Sequence, residues 1–228
     1  MFVKFIYKII NIIIHMVNVV KNFNLVKEEI SSFENANIVA VSKTFPISHI
    51  LPLINHGHHH FGENKVQEAQ EKWTSIKSDF PQLKLHLIGK LQTNKVKFAL
   101  PLFDYIHSLD SLKLAEKISL EQEKKNIKPK IFIQINLGKE SQKSGIDENN
   151  LENFYKRCVT EFNLNIIGIM CLPPFDEDPI PFFKKMQNLS ESLKLKEISM
   201  GMSNDYMDAL KFKATYIRVG SKIFGNRS

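Results

Sequence analysis

The chain is poor in the residues that mark several protein classes. It has only two cysteines, Cys158 and Cys171, in 228 residues. Two cysteines cannot build a disulfide framework, and such sparing use is typical of a reducing cytosol, so we predict a cytoplasmic protein. Nine glycines and nine prolines exclude a collagen-like chain. Hydrophobic residues at 43% and charged residues at 24% are instead typical of a soluble globular protein.

A long uncharged hydrophobic run is also missing. Residues 1–20 are mostly apolar, but their uncharged part, residues 9–20, has 12 residues, whereas a membrane-spanning helix needs about 20. No small-residue cleavage site of a signal peptide follows them. Met16 offers a second possible start. We therefore interpret residues 1–15 as an N-terminal extension of uncertain reality and residues 16–228 as a single domain. The alternative for the extension is an interfacial membrane anchor.

The charge balance is basic, with a net charge of +7 and a pI of about 9.2. Such a balance permits anionic partners, namely nucleic acid, an acidic surface or a phosphorylated small molecule. The basic segments 90–97 and 124–130 lack interleaved aromatic residues, which favours solvated helix faces over nucleic-acid binding. We predict neither a nucleic-acid nor a membrane partner. Salt-sensitive nucleic-acid binding remains an alternative hypothesis.

Short β-rich runs alternate with helical segments along the chain. An amphipathic helix is predicted from Met16 to Ser32, because its apolar positions recur at helical spacing. The predicted strands are Asn37–Val41, His59–Gly62, Leu83–Gly89, Tyr105–Ser108, Lys130–Leu137, Asn165–Cys171, Glu197–Gly201 and Tyr216–Gly220. Sustained alternation indicates a parallel α/β sheet. Eight units predict closure into a (β/α)8 TIM barrel with an extra N-terminal helix. An open doubly wound sheet is the competing layout.

Polar residues follow the predicted strands, and barrels of this kind build their sites at the carboxyl ends of strands. Lys43 follows the first strand, where enclosure of its stem would disfavour the ammonium form. A neutral amine could then attack an aldehyde and form an imine. The alternative is a lysine that ends a strand and reaches water.

Two late strands each end in a turn of small residues with a hydroxyl, at Gly201–Asn204 and at Gly220–Ser221. Helix N-termini after such turns favour a phosphate group, and barrels often place a phosphate site there. Ordinary N-capping by Ser203 and Ser221 is the alternative. Arg218 lies two residues before Gly220, so alternation places both on one face of the strand. We take that face as the interior side of the barrel. There Arg218 needs a partner, and a structural salt bridge is the alternative to a ligand contact.

The histidine-rich segment His56–His60 carries no metal prediction. Adjacent histidines in a strand point to opposite faces, and no carboxylate or cysteine stands at ligand spacing nearby. We interpret them as surface histidines with one or two packed against the core. The sequence also has no P-loop, dinucleotide fingerprint or serine-hydrolase elbow.

The strand exits, taken in order, carry a family resemblance. The motifs are VSKTFP (Val41–Pro46), FGENKVQEAQEKW (Phe61–Trp73), HLIGKLQTNK (His86–Lys95), IHSLDS (Ile106–Ser111), KSG (Lys143–Gly145), GIMCLPP (Gly168–Pro174), SMGMSNDY (Ser199–Tyr206) and IRVGSKIFGNR (Ile217–Arg227). Over about residues 20–228 the chain resembles the YggS/PROSC family, the pyridoxal phosphate homeostasis proteins. The resemblance implies a fold-type III barrel, like the N-terminal domain of alanine racemase, that binds pyridoxal 5′-phosphate (PLP).

The resemblance also implies the cofactor contacts, position by position. They are Lys43 as the Schiff-base lysine, Asn64 beside the cofactor, Met202 through a backbone group, Ser203, Gly220 and Ser221 at the phosphate, and Arg218 facing the pyridine nitrogen. Small departures from the family pattern, in the histidine-rich segment and just before KSG, touch none of these positions.

The implied function is intracellular PLP homeostasis by a carrier or buffer. An arginine is always cationic and cannot take the ring-nitrogen proton, which weakens the cofactor as an electron sink. The second acid/base group of alanine racemases comes from a C-terminal domain, and this sequence ends at Ser228 without one. We therefore expect no catalytic turnover, a monomer, and apo PLP-dependent enzymes as candidate partners. The alternative is a fold-type III enzyme such as an amino-acid racemase.

Overall fold

The computed structural model describes residues 18–138 and 144–225. The extension predicted for residues 1–15, Lys143 of the KSG motif and Arg227 lie outside the described residues. The predicted N-terminal helix is confirmed from residue 18, and helix α1 ends at residue 29. Its buried side chains, Val19, Phe23 and Val26, follow helical spacing and pack into the core.

Within residues 18–138 and 144–225, eight strands and eight further helices follow α1. The strands are β1 (Asn37–Val41), β2 (His60–Glu63), β3 (Lys84–Leu87), β4 (Tyr105–Leu109), β5 (Lys130–Ile135), β6 (Ile166–Cys171), β7 (Glu197–Met202) and β8 (Tyr216–Val219). The helices are α2 (Ile47–Asn55), α3 (Val66–Asp79), α4 (Val96–Ala99), α5 (Leu112–Lys125), α6 (Leu151–Thr160), α7 (Ile180–Ser192), α8 (Tyr206–Lys211) and α9 (Ser221–Phe224). Single 3-10 turns, Thr93–Lys95 and Glu148–Asn150, precede α4 and α6.

The strands form a closed parallel barrel in sequence order, so the predicted barrel is confirmed and the open sheet is wrong. Closure runs through β1 and β8, which pair in parallel from Asn37↔Tyr216 to Ala40↔Val219. Because parallel strands end at the same edge, the segments after Val41 and after Val219 become neighbours. This pairing brings together residues almost a whole chain apart.

Two apolar layers hold the barrel. The larger layer lies between the strands and the helices, where buried Ile, Leu and Val side chains of both pack together. A smaller cluster fills the barrel interior; its members are Val39, Tyr105, Phe132, Met170 and Tyr216. Since both faces are covered, strand β5 is buried along nearly its whole length instead of alternating.

The cysteines and the helices of the barrel bear on its reactivity and on its relation to membranes. Both cysteines, Cys158 and Cys171, are buried and unpaired, and burial raises the pKa of each thiol to about 12. They are therefore poor nucleophiles near neutral pH. Among the described residues, none of the helices combines the length and the apolar character that crossing a membrane requires.

Candidate binding site at the carboxyl ends of the strands

Lys43 follows β1 between two residues held by hydrogen bonds. Ser42 is buried, its N–H donates to the carbonyl of Gly62 at 3.0 Å, and its Oγ donates to Glu63 Oε1 at 2.8 Å. Thr44 has a φ of 69°, and its N–H donates to Glu68 Oε1 at 2.6 Å. Lys43 itself is half-buried. The side chain is thus partly enclosed, as expected, and its backbone is fixed on both sides.

Glu63 fixes the end of β1 from the neighbouring strand, and sequence reasoning assigned it no role. Its carboxylate is fully buried at the end of β2, and Oε1 accepts hydrogen bonds from Ser42 Oγ, Lys72 Nζ (2.9 Å) and Trp73 Nε1 (3.0 Å). A buried charge needs such partners. The available signal was an acidic residue closing an apolar strand, with a Lys-Trp pair in the following helix.

Asn64 lies half-buried directly after β2 and offers an acceptor. Its Oδ1 atom is buried and has no hydrogen-bond partner among residues 18–138 and 144–225. Gly89, beyond the end of β3, makes the close approach possible, because a Cβ there would lie 2.3 Å from the carbonyl oxygen of Asn64. Buried acceptors without a partner are costly, so this atom is suited to a ligand or bound water.

The two late turns meet, as their positions at strand ends predicted. Ser203 Oγ accepts a hydrogen bond of 3.2 Å from the N–H of Gly220, which leaves the hydroxyl hydrogen of Ser203 available to donate. Ser221 begins α9 and is exposed. The helices after these turns, α8 and α9, have only six and four residues. Turn N–H groups and hydroxyls therefore provide the polarity, more than the helix dipoles that we had expected.

Met202 presents its backbone N–H at the same turn. In the structure this N–H donates to Asp205 Oδ1 at 2.6 Å, and the side chain of Met202 is 39% exposed. Gly201 just before it has a φ of 86°, and a Cβ there would lie 2.7 Å from the Cβ of Ala209. The tight turn thus requires glycine at position 201. The N–H of Met202 in this turn binds an anionic group, which is the carboxylate of Asp205 in this structure.

Arg218 lies on the interior side of the barrel, with 4% of its surface exposed. Its Nη1 donates to Ser199 Oγ at 2.7 Å, and its Nη2 donates to the carbonyl of Cys171 at 2.9 Å. These partners are neutral, unlike the salt bridge considered as an alternative. Burial lowers the pKa of the Arg218 guanidinium from its ordinary value, but arginine remains a donor only.

A chain of buried histidines extends from Arg218 through the barrel, and sequence reasoning missed it. His107 Nδ1 lies 2.8 Å from Ser199 Oγ, His107 Nε2 lies 2.9 Å from His86 Nδ1, and His86 Nε2 lies 2.9 Å from His60 Nδ1. His107 lies in the middle of β4 and is fully buried, with its ring directed into the barrel toward Ser199 of β7. The signal was one histidine on the inward side of each of three successive strands.

Burial keeps these histidines neutral. It lowers the pKa of His58 to about 3 and that of His60 to about 4, and it holds the pKa of His86 and His107 well below the ordinary value. Of the histidine-rich segment, His58 and His60 are half-buried and the others exposed, in agreement with the interpretation that one or two are packed. The described residues contain no group of three or more potential metal ligands.

The barrel thus gathers most of the predicted site residues at one mouth. A Cβ at Gly220 would lie 3.3 Å from the carbonyl oxygen of Val41, so the β8 turn touches the segment that carries Lys43. The Ser203–Gly220 hydrogen bond joins β7 to the same place. An amine, a donor-rich turn pair and a fixed guanidinium therefore occupy three successive strand ends. This arrangement is suited to a ligand that carries a carbonyl, a ring acceptor and an anionic group.

The chain is similar to proteins of known family. The sequence model of the family "Alanine racemase, N-terminal domain" matches residues 14–228. A pyridoxal phosphate homeostasis protein of Aquifex aeolicus is 36% identical over 201 residues, covering 84% of this chain and 87% of the relative. Another, of Haemophilus influenzae, is 36% identical over 230 residues, covering 92% and 97%.

Solved structures agree with these sequence matches. PipY of Synechococcus elongatus PCC7942, without PLP, has a TM-score of 0.80 at 34% identity, over 87% of this chain and 99% of PipY. The structure of PipY with PLP bound has a TM-score of 0.79 at 33% identity. Fold and strand-exit site together define a barrel protein of the alanine racemase N-terminal domain type. Within that class, the chain belongs to the family of pyridoxal phosphate homeostasis proteins.

Proposed function

We propose that this chain binds PLP at the carboxyl ends of its strands and acts in intracellular PLP homeostasis as a carrier or buffer. The observation that carries the proposal is the convergence of Lys43, the Ser203–Gly220 turn pair and Arg218 on neighbouring strands β1, β7 and β8. The names of the curated relatives and the PLP-bound structure of PipY support the same cofactor.

The residues present fit this cofactor. PLP, when bound, supplies an aldehyde that condenses reversibly with an amine, and it carries a ring nitrogen and a phosphate. The buried Oδ1 of Asn64 is an acceptor without a partner among the described residues. The turn N–H of Met202 already binds a carboxylate. Acceptor, anion-binding turn and cationic donor thus match the polar groups of the proposed ligand.

Lys43 is proposed to supply the amine. It is half-buried, and hydrogen bonds of Ser42 and Thr44 fix the backbone on either side. A fixed backbone limits the positions that the amine can reach, which favours reaction at one place. Asn64, at the end of the neighbouring strand β2, is proposed to lie beside the bound ring.

Ser203, Gly220 and Ser221 are proposed to bind the phosphate, with the backbone of Met202 in support. The Ser203 hydroxyl hydrogen is free to donate while its oxygen accepts from Gly220 N–H. Ser221 is exposed at the same mouth. The N–H of Met202 donates to the carboxylate of Asp205 in this structure. A phosphate that binds this N–H must therefore replace the carboxylate as the acceptor.

Arg218 is proposed to donate to the ring nitrogen. A guanidinium has no acceptor and keeps its own protons, so the ring nitrogen stays unprotonated beside it. Electron withdrawal by the ring is then weak, and the chemistry that drives amino-acid turnover is weak with it. This residue therefore favours a carrier over a racemase.

The proposal is tested by trapping the cofactor on the protein. Holo-protein is reduced with borohydride, and the peptide that carries the pyridoxyl mass is identified. We expect the peptide with Lys43, loss of the adduct in Lys43→Ala, and no loss in Lys65→Ala, which changes an exposed lysine nearby. An adduct that persists in Lys43→Ala would refute the assignment. Sustained hydrogen exchange at Cα of D- or L-amino acids would contradict the carrier role.

Cytoplasmic location, a monomeric state and delivery to apo PLP-dependent enzymes also remain proposals. Sparing cysteine use supports the first. Light scattering of the purified protein tests the second, with a mass of 26.4 kDa expected. Activation of an apo-enzyme faster by holo-protein than by the same concentration of released PLP would support direct delivery, and equal rates would contradict it.

A further inference from the structure

Thr44 holds an unusual backbone conformation next to Lys43. Its φ of 69° lies in the left-handed region, which β-branched residues avoid because Cβ crowds the backbone. Its N–H donates to the carboxylate of Glu68 on α3 at 2.6 Å. A strained residue persists only where its surroundings impose the conformation. Glu68, on α3, helps to impose this conformation on Thr44 through the hydrogen bond that it accepts.

Lys72 connects Glu68 to the other side of Lys43. Its ammonium donates to Glu68 Oε1 (3.1 Å), to Glu63 Oε1 (2.9 Å) and to the carbonyl of Ser42 (3.0 Å). Glu63 in turn accepts from Ser42 Oγ. All three donors of the ammonium are therefore used inside this group. Side-chain exposure of Lys72 is only 10%, which limits competition from water.

We infer that Glu63, Lys72 and Glu68 form a clamp that positions Lys43 by fixing Ser42 on one side and Thr44 on the other. The inference rests on the proposed function of Lys43. The three residues act on Lys43 through the backbone of its neighbours and are therefore positioning residues. Their role is to hold the backbone of Lys43 so that its amine enters the mouth of the barrel in one orientation.

Strain at Thr44 gives the clamp a distinctive signature. Without Glu68, the Thr44 N–H loses its acceptor, and we expect the residue to relax out of the left-handed region and carry Lys43 with it. Glycine adopts this region without steric cost. Thr44→Gly should therefore restore the native path of the chain in a protein that lacks Glu68. A residue that acted only through bulk stability would show no such rescue.

The test measures the rate of adduct formation at Lys43. Apo-protein is mixed with PLP, quenched with borohydride at intervals, and the pyridoxyl mass on the Lys43 peptide is quantified. Relief of a strained conformation of this kind corresponds to about a tenfold change in rate. We expect Glu68→Ala to slow labelling about tenfold, and the double variant with Thr44→Gly to return close to the rate of Thr44→Gly alone. Glu71→Ala, an exposed change in the same helix, serves as the matched control and should leave the rate unchanged.

A second readout uses the apo-protein without cofactor. The thermal midpoints of the wild type, the two single variants and the double variant form a cycle in which the loss caused by Glu68→Ala should be larger when residue 44 is glycine, because only threonine regains strain energy by relaxing. This cycle remains informative if Glu68→Ala weakens the fold. An additive cycle would overturn the clamp.

The remaining outcomes separate the clamp from the proposed function. Unchanged labelling in Glu68→Ala, or slow labelling that Thr44→Gly does not rescue, would overturn the clamp while Lys43 remains the site of the adduct. An adduct on another residue in the wild type would overturn the proposed function itself, and the positioning of Lys43 with it.

Discussion

The histidine chain inside the barrel predicts a steep loss of stability in mild acid. His86 and His107 are fully buried, and their pKa lies well below the ordinary value of 6.5. In the unfolded chain both would protonate near that value, so below it the unfolded state binds more protons than the folded state. Stability from this source is fully present above pH 6.5 and falls as the pH drops toward the folded pKa.

The magnitude follows from the linkage between proton binding and folding. Between pH 7.5 and pH 5.0, each histidine that titrates only when unfolded contributes about 2 kcal/mol, because one pKa unit corresponds to about 1.4 kcal/mol. The fully buried pair therefore removes about 4 kcal/mol. A domain of ordinary stability has about 5–15 kcal/mol in total. His58 and His60 add to the loss in the same direction, reduced by their contact with solvent.

Carboxylates do not produce this loss. Glu68, for example, has a pKa below its ordinary value of 4.5: burial raises the pKa, and the hydrogen bonds from the Thr44 N–H and from Lys72 together outweigh that effect. Such a group contributes stability that is lost only as the pH falls below about 4.5. The window from pH 7.5 to 5.0 thus isolates the histidines.

Urea unfolding of the apo-protein at several pH values measures the effect. We expect the free energy of unfolding to fall by about 4 kcal/mol or more from pH 7.5 to pH 5.0. His107→Phe, which keeps an aromatic ring beside Phe132, should flatten this dependence by about 2 kcal/mol even though it lowers stability at every pH. His59→Asn changes an exposed residue and serves as the control. A flat profile in the wild type would refute the neutral histidine chain.

Three further predictions concern the chain and the anion-binding turns. Arg218 only donates, so Ser199 Oγ accepts from it and the Ser199 hydroxyl hydrogen is donated to His107 Nδ1. His107 Nε2 then carries a proton and donates to His86 Nδ1, so nitrogen NMR should find both histidines as neutral Nε2–H tautomers. A proton on Nδ1 of either ring would contradict this direction of the hydrogen bonds. Asp205→Asn should tighten binding of PLP about fivefold in a fluorescence titration, since it removes a negative charge at the Met202 N–H; weaker binding would show that the carboxylate supports the site. Replacing Ser203 and Ser221 together with alanine should weaken binding of PLP more than either change alone and leave binding of unphosphorylated pyridoxal unchanged; equal losses for both ligands would exclude a phosphate role.

Periodicity and alternation were sufficient for the architecture. The predicted strand Asn37–Val41 has the bounds that the structure shows. Local rules placed most other boundaries within two residues, and the parallel barrel followed from the repeated unit.

Long-range polar contacts could not be predicted in the same way. The sequence shows Lys72 only as one residue of a helical motif. In the fold its ammonium lies between the ends of β1 and β2, where it contacts Ser42 and Glu63. In the sequence, His86 and His107 are single polar residues within two apolar strands, and only closure of the barrel aligns them with Ser199. Such contacts depend on strand register, which sequence patterns do not specify for strands buried on both faces.

Arg218 links the interior of the barrel to the function at its mouth. Two of its hydrogen-bond partners, Ser199 Oγ and the Cys171 carbonyl, fix one side of the guanidinium from β7 and β6. Holding this group requires an uncharged interior, since a protonated histidine next to Ser199 would repel it and reverse the hydrogen-bond direction. A neutral histidine chain meets that requirement. The same burial that makes the protein acid-sensitive thus holds a permanent donor on β8, the strand that pairs with the one ending before Lys43, as the proposed PLP site requires.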